Sequence, residues 1–204
     1  MNHKTILITG CSSGIGRCVA RGLATRGYRV FATARRDKDV NELNAGGFEG
    51  LPLDLSDSDS IAAAVNEILS RTGGRLDALF NNGAYGQPGA VEDLSRDVLR
   101  TQFETNLFGW HELTNRIIPI MRQQGHGRII HNSSVLGFVA LPFRGAYTAS
   151  KYALEGLADT LRLELRGTDI HVSLVEPGPI ESRFRANAFA AYQHNINPET
   201  SVHR

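Results

Sequence analysis

Four polar side chains of the kinds that move protons occur in the second half of the chain: Asn106, Ser134, Tyr147 and Lys151. Tyr147 and Lys151 are four residues apart in a strongly helical stretch, which predicts that both side chains leave one face of a helix. Because a nearby ammonium favours the phenolate, we expect Lys151 to lower the pKa of Tyr147 from its usual value of about 10. Tyr147 would then donate a proton to a substrate oxygen in reduction and accept one in oxidation.

Ser134 and Asn106 are predicted to lie close to that pair. Ser134 follows an apolar strand-like run, so its hydroxyl can hydrogen-bond a substrate oxygen and stabilise developing charge. Asn106 is a polar residue beside Leu107 and Trp110 in a predicted helix, and we expect it to hold a water that links Lys151 to solvent. Taken singly, these residues also fit ordinary roles: a surface Tyr–Lys pair, a serine turn and an exposed helical asparagine.

A glycine-rich segment, Thr-Gly-Cys-Ser-Ser-Gly-Ile-Gly, occupies residues 9–16 after the first predicted strand. Glycine lets backbone approach a ligand closely, and the helix that follows offers free N–H groups to a pyrophosphate. We therefore expect cofactor contacts from Gly10, Ser12, Ser13, Gly14 and Ile15. The alternative is a tight strand–helix connection without a ligand. Without a Gly-Lys-Ser/Thr ending, the segment does not match a P-loop nucleotidase.

The end of the second predicted strand bears on which dinucleotide is bound. It reads Ala34-Arg35-Arg36, with no acidic residue before Asp37. A carboxylate here would bind ribose hydroxyls and favour NAD, whereas two guanidiniums suit a 2′-phosphate. We predict a preference for NADP(H), with Ser12 adding a neutral donor. The alternative is a solvated arginine pair that begins a helix.

Two more segments follow predicted strands at the carboxyl ends where a cofactor would pass. They are Asp54-Leu55 and Asn81-Asn82-Gly83-Ala84, from which we take Asp54, Leu55, Asn82, Gly83 and Ala84 as candidate adenine and ribose contacts. Asp54 would equally serve as the cap of a helix starting near Ser56, and the Asn-Asn-Gly as a turn.

Apolar strand-like runs alternate with longer helical patterns along the whole chain. The predicted strands are Thr5–Ile8, Tyr28–Thr33, Leu51–Leu53, Leu76–Phe80, Arg128–His131 and Ile170–Val175. The predicted helices are Ile15–Arg26, Ser58–Thr72, Ser95–Gln124 and Ala146–Arg166, with a shorter one at Asp37–Asn44. Continuous apolar strands alternating with helices indicate a doubly wound α/β fold in which helices cover both faces of a parallel sheet.

Composition and charge exclude several classes of protein. The 204 residues carry a net charge of +1, with basic and acidic residues dispersed, so we expect no nucleic-acid partner. The start of the chain lacks a signal-peptide pattern, and no apolar run is long enough to span a membrane, which predicts a cytoplasmic protein. Cys11 and Cys18 are expected to be free thiols, and a metal site there would lack ligands.

The ordered set of motifs resembles the short-chain dehydrogenase/reductase family over about residues 4–185. It comprises the glycine segment, Asn81-Asn82, Asn106, Ser134, Tyr-x-x-x-Lys and Pro177-Gly178, and Ser134 precedes Tyr147 by thirteen residues, as in the family. The resemblance implies a Rossmann-type three-layer fold and a homodimer or homotetramer. Within the family, the glycine segment and the sequence Glu-Pro-Gly-Pro-Ile at residues 176–180 are similar to those of NADP-dependent reductases that act on steroids, retinol and other lipophilic substrates.

The same resemblance implies a role for each matching residue. Ser134 positions the carbonyl, Tyr147 is the acid/base, Lys151 also holds the nicotinamide ribose, and Asn106 supports the relay water. Pro177, Gly178 and Ile180 would flank the nicotinamide, Asp54 and Leu55 the adenine, and Ser182 would supply a hydroxyl to the carboxamide.

The chain departs from the family pattern at three places, of which one is Ser182, where the family commonly has a threonine after Pro-Gly. The usual Asn-Asn-Ala-Gly is Asn81-Asn82-Gly83-Ala84, which matters if Ala84 needs a positive φ. The last strand and helix of the family have no counterpart, so we expect a single domain, residues 1–204, whose substrate-covering segment at about residues 180–204 is either truncated or naturally short.

These inferences predict an NADP(H)-dependent oxidoreductase that interconverts a carbonyl and an alcohol, acting on a lipophilic ketone or aldehyde through the pro-S hydride. A rival is a non-catalytic sensor that binds NADP(H) through the same glycine segment. A third interpretation, a nucleotide-sugar epimerase or dehydratase, is disfavoured by the length of the chain.

Overall fold

In a computed structural model, which describes residues 3–203, the chain forms one sheet of six parallel strands. The strands are β1 (Thr5–Ile8), β2 (Arg29–Ala34), β3 (Glu49–Pro52), β4 (Ala78–Asn81), β5 (Gly127–Asn132) and β6 (Ile170–Val175). Their order is β3-β2-β1-β4-β5-β6, so the direction of winding reverses between β1 and β4. In such sheets the ligand crevice lies beyond the carboxyl ends of the strands at that reversal.

Residues 3–203 contain seven α-helices, of which the first six lie between strands and the seventh follows β6. They are α1 (Gly14–Ala24), α2 (Asp37–Ala45), α3 (Ser58–Thr72), α4 (Arg96–Phe103), α5 (Gly109–Gln124), α6 (Gly145–Glu164) and α7 (Phe184–Asn195). Short 3₁₀ helices lie at Val91–Asp93 and Val135–Gly137. None of the helices in this part of the chain combines the length and apolar content needed to cross a membrane.

The two faces of the sheet have separate cores. Alternate strand residues such as Leu7, Leu79 and Ile129 pack with side chains of α3, α5 and α6. Their neighbours, including Ile6 and Phe80, pack with α1 and α2. This alternation follows from the period of two along a strand, and it confirms the predicted doubly wound fold.

The predicted helix Ser95–Gln124 is the element that the structure changes most. It divides into α4 and α5, which are joined by a π-helix at Glu104–Phe108. π-turns insert an extra residue into a helix and are frequent at functional sites. Asn106 lies in this π-helix and is fully buried.

The remaining boundaries differ from the predictions by small amounts, except at one helix. β3 begins at Glu49, two residues before the predicted Leu51. The helix α7 was not predicted at all. It has no buried residue, so its sequence lacks the apolar periodicity by which helices are recognised.

Candidate active site and cofactor cleft

A cleft of about 870 Å³ opens at the carboxyl ends of β1, β4 and β5. It brings together the glycine segment, the loop after β4, the start of α6 and the segment before α7. Most of the residues predicted for the site line it: Gly10, Ser13, Gly14, Ile15, Asn82, Gly83, Ala84, Ser134, Tyr147, Lys151, Pro177, Gly178, Ile180 and Ser182.

The helix α6 carries Tyr147 and Lys151 on one face, as predicted. Leu154 and Ala158 continue that face and are buried, which fixes the rotation of the helix. Lys151 is fully buried, and its Nζ donates a hydrogen bond to the carbonyl of Asn132 at the end of β5, at 2.8 Å. The same Nζ lies 5.6 Å from the centre of the Tyr147 ring.

Burial changes the acidity of both groups. It lowers the pKa of Lys151 from 10.5 to about 7, although the Glu155 carboxylate acts to raise it. Burial also raises the pKa of the Tyr147 phenol, and a hydrogen bond with Ser134 lowers it only in part. The predicted direction for Tyr147 was therefore wrong: the burial of the phenol itself outweighs the groups that favour the phenolate.

Ser134 faces Tyr147 from the turn after β5. Its Oγ accepts a hydrogen bond from the backbone N–H of Leu136 at 3.1 Å, which begins the 3₁₀ helix Val135–Gly137. The backbone N–H of Val135 donates to the carbonyl of Pro177 at 3.2 Å. These contacts hold the Ser134 hydroxyl on the cleft wall.

The side chain of Asn106 is hydrogen-bonded to the loop after β4. Its Oδ1 accepts from the backbone N–H of Tyr85 at 3.2 Å, and its Nδ2 donates to the carbonyl of Tyr85 at 2.9 Å. A longer hydrogen bond of 3.4 Å reaches Ser150 Oγ. These hydrogen bonds tie the amide to the loop after β4, and Oδ1 keeps a second lone pair, so the water that would link Asn106 with Lys151 stays a prediction.

The glycine segment makes a close turn between β1 and α1. Gly10 and Gly14 have φ values of 70° and 59°, which favour glycine. A Cβ at Gly16 would lie 2.5 Å from the carbonyl oxygen of Gly10 and 2.6 Å from Nδ2 of Asn82. The turn can be this tight only because Gly16 has no side chain.

Asn82 and Thr9 connect the glycine segment with the loop after β4. Asn82 Nδ2 donates to the carbonyls of Thr9 and Gly10 at 2.9 and 3.2 Å, and its Oδ1 accepts from Asn132 Nδ2 at 2.9 Å. Thr9 Oγ1 accepts from the backbone N–H groups of Asn82 and Gly83, both at 2.8 Å. Among residues 3–203, Phe143 is the single non-glycine residue with positive φ, so Ala84 carries no strain from the changed Gly-Ala order.

A small pocket of about 100 Å³ adjoins the cleft and shares Gly10, Gly83 and Ala84 with it. Arg35, Asp54 and Leu55 line this pocket, as expected for an adenosine site. Asp54 does not cap α3: its Oδ1 accepts from the backbone N–H of Ser56 at 3.0 Å, and the cap is Asp57.

The two arginines after β2 have different surroundings. Arg36 makes a bidentate ion pair with Asp39, at 2.8 and 3.2 Å, and its side chain is 70% exposed. Arg35 lines the small pocket instead. Of the two guanidiniums predicted for a phosphate, Arg35 is therefore the better placed.

The side chain of Ser12 is not among those that line either pocket, but its carbonyl attracts two more arginines. Arg183 Nη2 donates to this carbonyl at 3.1 Å and Arg17 Nη1 at 3.5 Å. Sequence reasoning did not select either residue. Arg183 follows Ser182 in the segment before α7 and ties that segment to the glycine turn.

The other side of the cleft is formed by apolar side chains of two segments. Leu141 and Phe143 come from the connection before α6, and Phe184 and Phe189 from α7. The Phe184 ring makes an edge contact with the Tyr147 ring, with centroids 5.5 Å apart. All four apolar residues are substantially exposed.

Sequence reasoning also missed residues that touch Lys151 and Ser133. Trp110 packs against Lys151, and Glu155 accepts a hydrogen bond from Ser133 Oγ. A signal for Glu155 existed, because it is four residues after Lys151 on the same helical face. Trp110 offered no comparable signal, since an apolar residue in a helix is normally a core residue.

The described residues fit a dinucleotide. Ser13, the N-cap of α1, makes no side-chain capping hydrogen bond, and the first turn of α1 has no acidic residue. Ser13, Gly14 and Ile15 line the cleft, so this end of the helix presents its N–H groups there. Asn132, also on the cleft wall, has a buried Oδ1 with no hydrogen-bond partner among residues 3–203.

The fold and the site define a dinucleotide-type α/β protein with a serine, a tyrosine and a lysine at the cleft. The family model described as short chain dehydrogenase matches residues 4–193. The chain is 47% identical over 185 residues to the uncharacterized oxidoreductase YbbO of Escherichia coli strain K12, covering 91% of this chain and 69% of that protein. It is 35% identical over 215 residues to human 17-beta-hydroxysteroid dehydrogenase type 1, covering 100% of this chain and 64% of that protein.

Solved structures agree with this assignment. Actinorhodin polyketide ketoreductase F189W with NADPH matches with a TM-score of 0.85 and 32% identity, over 95% of this chain and 76% of that one. A Burkholderia phymatum short chain dehydrogenase/reductase with NAD gives 0.86 and 27%, over 98% and 74%. The chain belongs to the short-chain dehydrogenase family, whose members are oxidoreductases that interconvert carbonyls and alcohols. Cys11 and Cys18 are free, as predicted.

Proposed function

We propose that this protein is an NADP(H)-preferring oxidoreductase that reduces lipophilic ketones or aldehydes, with Ser134, Tyr147, Lys151 and Asn106 as its catalytic group. The observation that carries the proposal is the convergence of the Tyr147 phenol, the Ser134 hydroxyl and the buried Lys151 on one wall of the cleft. When bound, the nicotinamide supplies the hydride, and the residues described here supply the proton and the positioning.

Tyr147 is the proton donor in reduction. Because burial raises the pKa of its phenol, Tyr147 holds its proton across the physiological range and can donate it to a developing alkoxide. Ser134, held by Leu136, offers its hydroxyl to the same oxygen. A substrate carbonyl between these two hydroxyls would be both oriented and polarised.

Lys151 and Asn106 support the proton transfer from Tyr147 indirectly. The Lys151 ammonium stabilises negative charge that forms on the Tyr147 oxygen. Since burial lowers the pKa of Lys151 to about 7, we expect reduction to slow as the pH rises above neutrality and Lys151 loses its charge. Asn106 fixes the backbone of Tyr85 and so the loop on which the cofactor would lie.

The substitution Tyr147→Phe tests the catalytic assignment. We expect turnover to fall by about 10²- to 10⁴-fold, the usual contribution of a general acid, while the NADPH dissociation constant changes little. Tyr28→Phe is the matched control, because Tyr28 precedes β2 and does not line the cleft. Equal turnover in Tyr147→Phe and the wild type would refute the assignment.

The preference for NADP(H) is supported by Arg35 at the small pocket and by the absence of an acidic residue before Asp37. The matched structures include complexes with NADPH and with NAD, so the preference must be measured on this chain.

Fluorescence titrations should compare the binding of NADPH and NADH by the wild type, Arg35→Ala and Arg36→Ala. We expect Arg35→Ala to weaken NADPH binding about tenfold or more and to spare NADH, since it removes a charge-assisted bond to phosphate. Arg36→Ala should have the smaller effect, because Arg36 is paired with Asp39. Equal affinity of the wild type for both nucleotides would contradict the preference.

A lipophilic substrate is supported by the apolar side of the cleft and by relatives named as acting on steroids and retinol.

We also propose a homodimer or homotetramer of single-domain chains. The support is a set of apolar side chains exposed on the π-helix and α6: Phe108, Tyr152 and Leu157. Light scattering after size-exclusion chromatography would measure that mass directly.

A further inference from the structure

Trp110 lies directly behind Lys151 and contacts both the active site and the cofactor loop. It is fully buried at the start of α5. The Lys151 Nζ lies 4.2 Å from the centre of its ring, within the range of a cation–π contact. The indole Nε1 donates to the carbonyl of Gly83 at 2.7 Å. One side chain therefore links the ammonium to the loop after β4.

Of the other groups packed around Lys151, Glu155 is charged and favours the ammonium, whereas Tyr147 and His131 are uncharged. On α6, Glu155 acts to raise the pKa of Lys151, and Tyr147 is neutral. On β5, His131 stacks on Trp110, with centroids 6.0 Å apart, and burial followed by Lys151 lowers its pKa to about 4, so it is uncharged. The ammonium donates its direct hydrogen bond to a carbonyl oxygen, that of Asn132. From the α5 side, the buried ammonium therefore lies against the face of an indole.

We propose that Trp110 is a positioning residue for the catalysis proposed above: its indole face holds the Lys151 ammonium, and its Nε1–H ties that contact to the Gly83 carbonyl. The inference depends on the proposed function for its kinetic consequence. Its structural part concerns the charge on Lys151 and can be measured without turnover. Cation–π stabilisation is stronger when the cation is desolvated, as it is here.

The test compares Trp110→Phe and Trp110→Leu with the wild type. Phenylalanine keeps a ring but loses the N–H, whereas leucine loses both. Leu113→Ala is the packing control, because Leu113 is equally buried on α5 in the same core. Two quantities are measured: the pH profile for reduction of trans-1-decalone by NADPH, and the titration of the Lys151 amine by ¹⁵N NMR of the side-chain Nζ.

We expect the alkaline midpoint of both curves to move to lower pH by about one unit in Trp110→Leu, and by less in Trp110→Phe. Both variants should also raise the KM for NADPH several-fold, because the Gly83 carbonyl loses its donor. Leu113→Ala should lower stability but leave both midpoints in place. If Trp110→Leu does not fold, Trp110→Phe alone carries the comparison.

Unchanged midpoints in the folded Trp110 variants would overturn the inference, because Trp110 would then be a core residue only. If the wild type reduces no ketone, the proposed function is in question, but the Lys151 titration still decides the role of Trp110. An equal shift in Leu113→Ala would also overturn it, since the effect would then be one of packing.

Discussion

The two sides of the cleft are built in different ways. The nucleotide side is made of backbone: the glycine segment and the loop after β4 are joined by Thr9 and Asn82, and a single added carbon at Gly16 would collide with two atoms. The substrate side is made of exposed side chains, of which Phe184 is 38% and Phe189 59% accessible. The first side leaves no room for an added side chain at Gly16, whereas the exposed residues of the second can be replaced at low cost in stability.

This contrast has a functional meaning. A cofactor shared by many enzymes needs a site whose geometry does not vary, and close backbone contacts provide it. A substrate that differs between relatives needs a surface of replaceable side chains. Tyr147 lies between the two sides, because it contacts Ser134 on one hand and Phe184 on the other.

The largest effect is expected from Gly16→Val on the nucleotide side. The new side chain would meet the Gly10 carbonyl and Asn82, so we expect a loss of about 3 kcal/mol in the free energy of unfolding and a fall of about 100-fold in NADPH-dependent turnover. Denaturant unfolding and steady-state rates measure both. The control is Gly22→Ala on the same helix, where a Cβ would meet only the flexible end of Arg26. It should be neutral or stabilising by up to about 1 kcal/mol. Wild-type stability in Gly16→Val would show that the nucleotide side does not depend on its close backbone contacts.

A smaller effect of another kind is expected from Phe184→Ala on the substrate side. Removing the edge contact with Tyr147 should raise the KM for an apolar ketone about tenfold. The NADPH dissociation constant should stay the same, and the free energy of unfolding should change by less than about 1 kcal/mol. Leu163→Ala, exposed at the far end of α6, is the control. Loss of NADPH binding in Phe184→Ala would show that the two sides are not separable.

The smallest effect is expected at the amino ends of the strands, on the side of the sheet away from the cleft. Asp77 accepts hydrogen bonds from Thr5 N and Oγ1 at 2.7 and 2.9 Å, and it pairs with His126 at 2.9 Å. Burial acts to raise the pKa of this carboxyl, but the hydrogen bonds from Thr5 and His126 together lower it below 3.8.

A lowered pKa in the folded state stabilises the protein above the unfolded value and loses that contribution as the pH falls. We expect Asp77→Asn to cost about 1–2 kcal/mol near pH 7, and the difference from wild type to shrink below about pH 4. Urea unfolding at several pH values measures it. Turnover at pH 7 should not change, because Asp77 lies at the amino ends of the strands. A cost that does not vary with pH would show that the charge is irrelevant.

Much of the site was predictable because local periodicity fixes it. Tyr147, Lys151 and Leu154 share a helical face, and Gly10 and Gly14 mark the turn after β1. The pairing of Arg36 with Asp39 was not predictable, because two arginines after a strand do not reveal which one turns toward a ligand. The pKa of Tyr147 was predicted in the wrong direction, since the sequence does not report how deeply the phenol itself is buried.

Elements with weak periodicity account for the rest. The helix α7 buries no side chain, so nothing in its spacing distinguished it from a loop. The π-helix at Glu104–Phe108 was not predicted, because one extra residue in a helix leaves the apolar pattern almost intact.

The π-helix at Glu104–Phe108 also determines how far α4 and α5 are rotated relative to each other about the helix axis. Upstream of it, Gln102 is turned toward the loop after β4, where its Nε2 donates to the Tyr85 carbonyl at 2.9 Å and its Oε1 accepts from Gln87 N at 2.7 Å. Downstream, α5 turns Trp110 toward Lys151. Deleting one residue from the turn would restore an ordinary α-helix and rotate α4 against α5 by about 100°. Gln102 could then no longer contact the loop after β4 while Trp110 contacts Lys151. The single inserted residue therefore allows both contacts to form at the same time.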